Sequence, residues 1–213
     1  MFSDKHLNIW ESISDLMAGL MMIFLFIGLG FWLQLKIAEE QVIDTKSQIY
    51  DDLRKAFSPE ELKLWGVEID KKLSVTFKEP DVLFELNKSD LKPQFQKTLS
   101  EFIPRYFEVI RNEKYKDIIA EIRIEGYASK DGPDPNSDFS YFYNMKLSQD
   151  RARNVLQYIF WIWQVQSYKD WLRTNITTNG YSHGKASGNN EYDRRVEFRI
   201  ITKDQVKKEQ GVE

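Results

Sequence analysis

Leu16 to Leu35 reads LMAGLMMIFLFIGLGFWLQL, a run without a formal charge. As a helix rising about 1.5 Å per residue it is about 30 Å long, the thickness of a bilayer's hydrocarbon core. The run is too long for the apolar part of a signal peptide. The preceding MFSDKHLNIWES is not strongly basic, and Lys36-Ile37-Ala38-Glu39-Glu40 offers no small-residue cleavage site. It reads as an uncleaved anchor, with Trp10 and Trp32 near its ends as interfacial aromatics. Lys5 before it and Lys36 after it nearly balance, so charge alone does not orient it. At its head stands a carboxylate, Asp15, which costs about 2–3 kcal/mol well inside the membrane and less at the interface. Asp15 is therefore either a boundary marker or a proton site. Asp15, Ala18, Gly19 and Met22 share one helix face, and small residues there let a partner helix approach closely.

Outside this run the chain is polar: 30% of residues are charged and mean hydropathy is −0.52. About 150 residues remain for one well-buried domain. A net charge of −3 argues against nucleic acid as a main partner. The absence of cysteine removes disulfides, thiolate metal sites, cysteine nucleophiles and a lipid-modified N-terminal cysteine. His6 and His183 are the only histidines, and no nucleophile elbow accompanies them, so neither a hydrolase nor a metal site is expected. No cofactor is expected either.

The chain divides into a head (1–12), the membrane helix (13–36), a helical linker (37–68), a compact domain (69–203) and a tail (204–213). In the linker Val42, Ile49, Leu53 and Phe57 form a narrow apolar seam, suited to a homodimer. Ser58-Pro59-Glu60-Glu61 carries the signals that start a short helix: a capping serine, proline in the first turn, then acids. In the domain, alternation predicts a strand at 73–77 and a hairpin partner at 82–84. Helical periodicity runs from Leu91 to Arg111, with a kink expected at Pro104. A strand follows at 119–124, a helix at 144–163, and closing strands at 176–180 and 196–201. The order β-β-α-β-α-β-β, with helices on one side of the sheet, is an α+β fold.

Four stretches carry a specific resemblance. Val82-Leu83-Phe84 through Leu91-Lys92-Pro93, Ile124-Glu125-Gly126-Tyr127, Tyr143-Asn144 with Leu147-Ser148 and Arg151-Ala152, and Asp193-Arg194-Arg195-Val196-Glu197-Phe198 resemble, in this order, the motifs of OmpA-like peptidoglycan-binding domains. The resemblance covers about residues 70–202 and implies a mixed sheet with helices on one face. It also implies a wall-binding site at Tyr143, Asn144, Leu147 and Arg151. The residues support that role independently. Asn144, Leu147 and Arg151 share one helix face, a helix N-terminus attracts carboxylate, and arginine adds a bidentate fork. Together they suit a zwitterionic peptide stem. The family's aspartate after the glycine-bearing strand is here Ser129, and Asp131 is its candidate replacement. Arg195 joins the site by its motif. A fold-specific salt bridge is the competing reading of Arg151 and Arg195.

A single anchor, a helical linker and an OmpA-like domain resemble the MotB-type stator subunits of rotary motors. The Ser14-Asp15-Leu16-Met17-Ala18-Gly19 stretch looks most like the variant found in Zorya anti-phage defence systems, the ZorB subunits. This resemblance implies a homodimer inside a pentameric ring of MotA-like or ZorA-like membrane partners. It further implies Asp15 as the proton-carrying residue, a cytoplasmic N-terminus, a periplasmic domain in the bacterial inner membrane, and peptidoglycan as ligand. Flagellar stators share the pattern, as does a passive membrane-to-wall tether without ion flow.

Overall fold

A computed structural model gives the structure of residues 4–78, 80–130, 134, 136–184 and 193–211. Two units emerge, Met1–Asp44 and Thr45–Glu213. The first is the apolar length of helix α1 (Asp4–Ala56). From Trp10 to Ile37 its large apolar side chains, Met17, Phe24, Phe26 and Phe31 among them, are exposed. Among the described residues, α1 is the one helix long and apolar enough to cross a membrane. Gly19, Gly28 and Gly30 have open space where a Cβ would stand. A helical glycine costs up to about 1 kcal/mol relative to alanine, and packing within this chain gives no return for it.

The second unit is built on a mixed five-stranded sheet in the order β1-β2-β5-β3-β4, with β1 Val67–Ile69, β2 Ser74–Phe77, β3 Ile119–Gly126, β4 Ile176–Gly180 and β5 Val196–Thr202. Neighbours run antiparallel except β3 and β4, which are parallel. Alternation sorts the two faces. Val75, Phe77, Ile122, Ile124, Phe198 and Ile200 point into the core, beneath α4 (Pro93–Ile110) and α5 (Asp138–Ile159). The opposite face is ionic. Arg123 stands opposite Arg199, and Glu125 opposite Glu197. These like-charge pairs are relieved by unlike neighbours, Arg199 to Glu125 at 3.6 Å and Arg195 to Glu197 at 2.6 Å. Arg123 also clasps Glu209 of the C-terminal helix Lys203–Glu209 at 3.0 Å.

The linker seam has a different destination from the expected one. Ile49, Leu53 and Phe57 are fully buried in the domain's own core. Phe57 stacks on Phe102 of α4 with ring centroids 4.4 Å apart, and the Arg105 guanidinium covers its ring at 4.6 Å. Earlier along the same helix Asp52 accepts from Lys114 at 2.5 Å and from the Tyr115 hydroxyl at 2.7 Å, and Lys46 pairs with Asp204 at 2.8 Å. An apolar stripe records only that something must cover it; here the domain's own core does so, with α4 over Phe57. The short helix α2 (Pro59–Leu64) has the expected capping box, closed by Ser58 and Glu61.

Two further departures concern 65–92. The stretch 82–84 is no hairpin strand: α3 (Pro80–Leu83) leads to a lone bridge between Phe84 and Leu91. Proline at the first helical position favours that turn over a strand. The partner of β2 is instead the short β1, joined through a turn in which Asp70 Oδ1 accepts from the backbone of Lys72 and Ser74. Helix α4 runs on through Pro104 without ending.

The buried Phe57 yields a prediction. Phe57→Ala removes a ring from a fully packed site, so the domain should lose about 3–5 kcal/mol of stability, the usual cost of such a truncation. Denaturant unfolding of the full chain, followed by domain tryptophan fluorescence, measures it. A loss below about 1 kcal/mol would place Phe57 outside the core.

Candidate functional site

The site is set by a close approach. Gly126 ends β3 and stands in register with Gly180 at the end of β4. Ser148 of α5 lies against both. A Cβ on Gly126 would overlap the Ser148 carbonyl oxygen, and one on Gly180 would fall 2.6 Å from the Gln149 nitrogen. Only glycine permits the helix to sit this low on the strand ends. The Ser148 hydroxyl donates to Met145 O at 3.0 Å and accepts from Ser182 N at 3.0 Å, and Ser182 Oγ donates to Tyr141 O at 2.8 Å. The loop after β4 is thus bound to α5. The loop after β3 joins it, through Ala128 N to Ser182 O at 2.9 Å.

Helix α5 begins at Asp138, capped by Ser137, six residues before the expected start. Asn144 therefore lies within the helix, away from its free N–H groups. The helix-terminus argument for carboxylate attraction at Asn144 does not hold, and the charge must come from side chains. The reason for the miss is compositional: the first turns carry Phe139, Tyr141, Phe142 and Tyr143, all exposed, with no inward apolar period.

Arg151 supplies that charge. It is 5% exposed. Its Nε donates to Lys88 O at 3.0 Å, and its guanidinium lies 4.9 Å from the Phe84 ring centre. Among the described residues no carboxylate lies within ion-pair distance of it. Burial first, then the charge of nearby Arg194, depress its guanidinium to about 10, still cationic at neutral pH. Asn154 holds the next loop residue through Ser89 O at 2.9 Å. Between α5 and this loop lies a cleft of about 280 Å³ lined by Asn87, Lys88, Ser89, Asp90, Tyr143, Lys146, Leu147 and Asp150.

Of the expected residues, Tyr143 and Leu147 line the cleft and Arg151 anchors its far wall. Asn144 is buried on the adjoining side and donates from Nδ2 to His183 Nδ1 at 3.3 Å, which needs the Nε2–H tautomer. Ser129 is buried in the loop after β3. Asp131 lies outside the described residues. Arg195 belongs to a separate group: its guanidinium covers Tyr127 at 3.8 Å and its Nε donates to Glu197 at 2.6 Å, the fold-bracing alternative. Tyr127 stacks on Tyr181 and donates to the fully buried Glu125 at 2.6 Å. Burial, then Glu125, pushes the Tyr127 phenol up. Sequence reasoning weighed His183 only as a hydrolase or metal residue and read Arg194 only as part of a motif. The parallel pairing of Gly126 with Gly180 brings the histidine's loop to α5, and Arg194 stood beside the residue chosen from its motif.

The glycine contact predicts that Gly126→Ala, although small, destabilises the domain by at least about 1–3 kcal/mol, because backbone must move. Thermal unfolding of the full chain reads this. An unchanged midpoint would show that α5 can lift from the strand ends freely.

Residues 83–195 match the model of the OmpA family. A Zorya protein ZorB of Escherichia coli (Crooks strain) is 40% identical over 210 residues, spanning 91% of this chain and 87% of the relative. A second Zorya protein ZorB, from Escherichia coli O139:H28, is 26% identical over 212 residues, spanning 90% and 79%. Among solved structures, a putative MotB-like protein from Desulfovibrio vulgaris shares the fold with a TM-score of 0.52 at 21% identity, over 78% of this chain and 99% of that one.

Proposed function

The chain belongs to the ZorB family and carries an OmpA family domain, and on that premise we propose that it is a peptidoglycan-anchored stator subunit of an ion-driven motor in anti-phage defence. The observation that carries the wall-binding half is Arg151: a buried guanidinium beside Arg194 and without a carboxylate partner among the described residues. Leaving a buried charge unpaired is costly, and a carboxylate-bearing peptide stem in the adjoining cleft supplies what is missing. Tyr143 and Leu147 would pack along the stem and Asn144 would hold its backbone. Ser129 and Asp131 are proposed for its amine end, with Arg195 bracing the strand behind.

The motor half rests on α1. Its exposed apolar surface and its three unoccupied glycine sites suit a membrane helix enclosed by other helices. In this reading two copies stand inside a pentameric ring of ZorA-like partners. The N-terminus is cytoplasmic and the domain periplasmic. Asp15 takes a proton on one side, crosses neutral, and releases it on the other. Each charge moved yields about 2.3 kcal/mol per 100 mV of membrane potential. The wall-bound domain holds the centre still while the ring turns.

Two experiments test the halves separately. Replacing Tyr143, Asn144, Leu147 and Arg151 together by alanine should abolish co-sedimentation with purified peptidoglycan while circular dichroism stays native; Arg151→Lys, which keeps the charge but loses the fork, should bind at least about tenfold more weakly. Undiminished binding by the folded quadruple variant would move the ligand elsewhere. Asp15→Asn should insert, assemble and bind the wall, yet abolish phage protection in cells carrying the whole system, whereas Asp15→Glu should keep part of it. Full protection with Asp15→Asn would leave a passive tether.

A further inference from the structure

Successive residues of α5 turn by about 100°. Ser148, Ala152 and Val155 mark its buried side. Tyr143, Lys146, Leu147 and Asp150 form the outward stripe along the cleft. Phe139 stands on this same stripe one turn earlier, about 6 Å along the axis from Tyr143, and Phe142 flanks it. Their side chains are 81% and 67% exposed, and Tyr143 is 46% exposed. Aromatic rings held this far into water beside a binding cleft mark an interaction surface.

We propose that Phe139 and Phe142, with the adjoining edge of Tyr143, form a stacking shelf for sugar rings of the glycan strand whose peptide stem enters the cleft. The proposal rests on the wall-binding reading of that cleft. The chemistry changes along the stripe as it does along such a polymer. The cleft end is ionic, with Lys146 paired to Asp150 at 2.5 Å and Lys88 and Asp90 opposite, which suits a charged peptide. The shelf end is aromatic, which suits a pyranose ring, whose faces are C–H groups and whose hydroxyls point to the rim. An aromatic face attracts the weakly positive C–H side through its own negative quadrupole. The first turn of α5 adds an acid, Asp138, rather than a base. That sign disfavours an anionic lipid surface as the occupant of the shelf. Continuity with the cleft on a single helix stripe favours the glycan over a second copy of this chain.

The test compares two ligands on the full chain in detergent: a disaccharide carrying its peptide stem, and the same stem freed of sugar. The wild type should bind the sugar-bearing ligand at least tenfold more tightly. Phe139→Ala with Phe142→Ala should erase that preference and leave affinity for the free stem unchanged, and tyrosine at both positions should restore it. Equal binding of the two ligands by the wild type would overturn the shelf and leave the cleft. Binding of neither would remove the cleft and the shelf together. A double variant that keeps the preference but loses a dimer's mass would assign these rings to a second copy and overturn the proposal.

Discussion

The contact between Ser148 and the paired glycines Gly126 and Gly180 is the constraint on which the rest of the domain depends. Two adjacent strands end in residues without a side chain, and a helix settles where the side chains would have been. This low seat sets the height of α5 over the sheet. That height brings Arg151 to the 87–90 loop, Asn144 to His183, and the loops after β3 and β4 to each other. The cleft itself lies between α5 and the 87–90 loop, which Arg151 and Asn154 tie to the helix. The loop after β4 is tied to the helix at Ser148 and Ser182, the loop after β3 to the loop after β4 at Ala128, and the helix to the strands by close packing.

The two faces of the sheet divide the labour. One face is aromatic and aliphatic and supplies the cohesion, with Phe57, Phe77, Phe95, Phe102, Tyr106 and Phe198 in mutual contact. The other is a ladder of charges whose direct neighbours repel and whose other neighbours attract. The ladder runs from the part-exposed Arg199 to the fully buried Glu125, and only at its exposed edge do such pairs add little to stability. It penalises a register slip, which would bring different charges together. Arg195 and Glu125 stand in that ladder, although Arg195 directly follows Arg194, whose charge reaches Arg151.

Much of this was legible beforehand. The apolar run, the capping box at Ser58, the strand at Ile119 to Gly126 and the inward periodicity of α4 and the later part of α5 are local patterns with local causes. What escaped reading was non-local. The seam at Ile49, Leu53 and Phe57 looks the same whether a second copy or the domain's own core covers it. The early start of α5 was hidden because its first turns present aromatics outward, against the usual sense of an amphipathic pattern. Arg194 and His183 matter only through neighbours that the chain brings together from more than thirty residues away. The strand expected at 82–84 failed for a smaller reason, a proline that opens a helical turn.

Because Ile49, Leu53 and Phe57 are folded into the core, the chain has little leash. Between Leu35, the end of the apolar run, and Thr45, where the domain begins, lie residues 36–44. Drawn out fully they would span about 30 Å at the limit of roughly 3.4 Å per residue. A chain free as far as Phe57 would have more than twice that reach. The difference is locked behind Phe57 and Phe102, and can be released only by pulling aromatic rings out of a packed interior. A pull on the domain from its N-terminal side would therefore find only residues 36–44 to draw out, and beyond them every further ångström would have to come from the packed core itself.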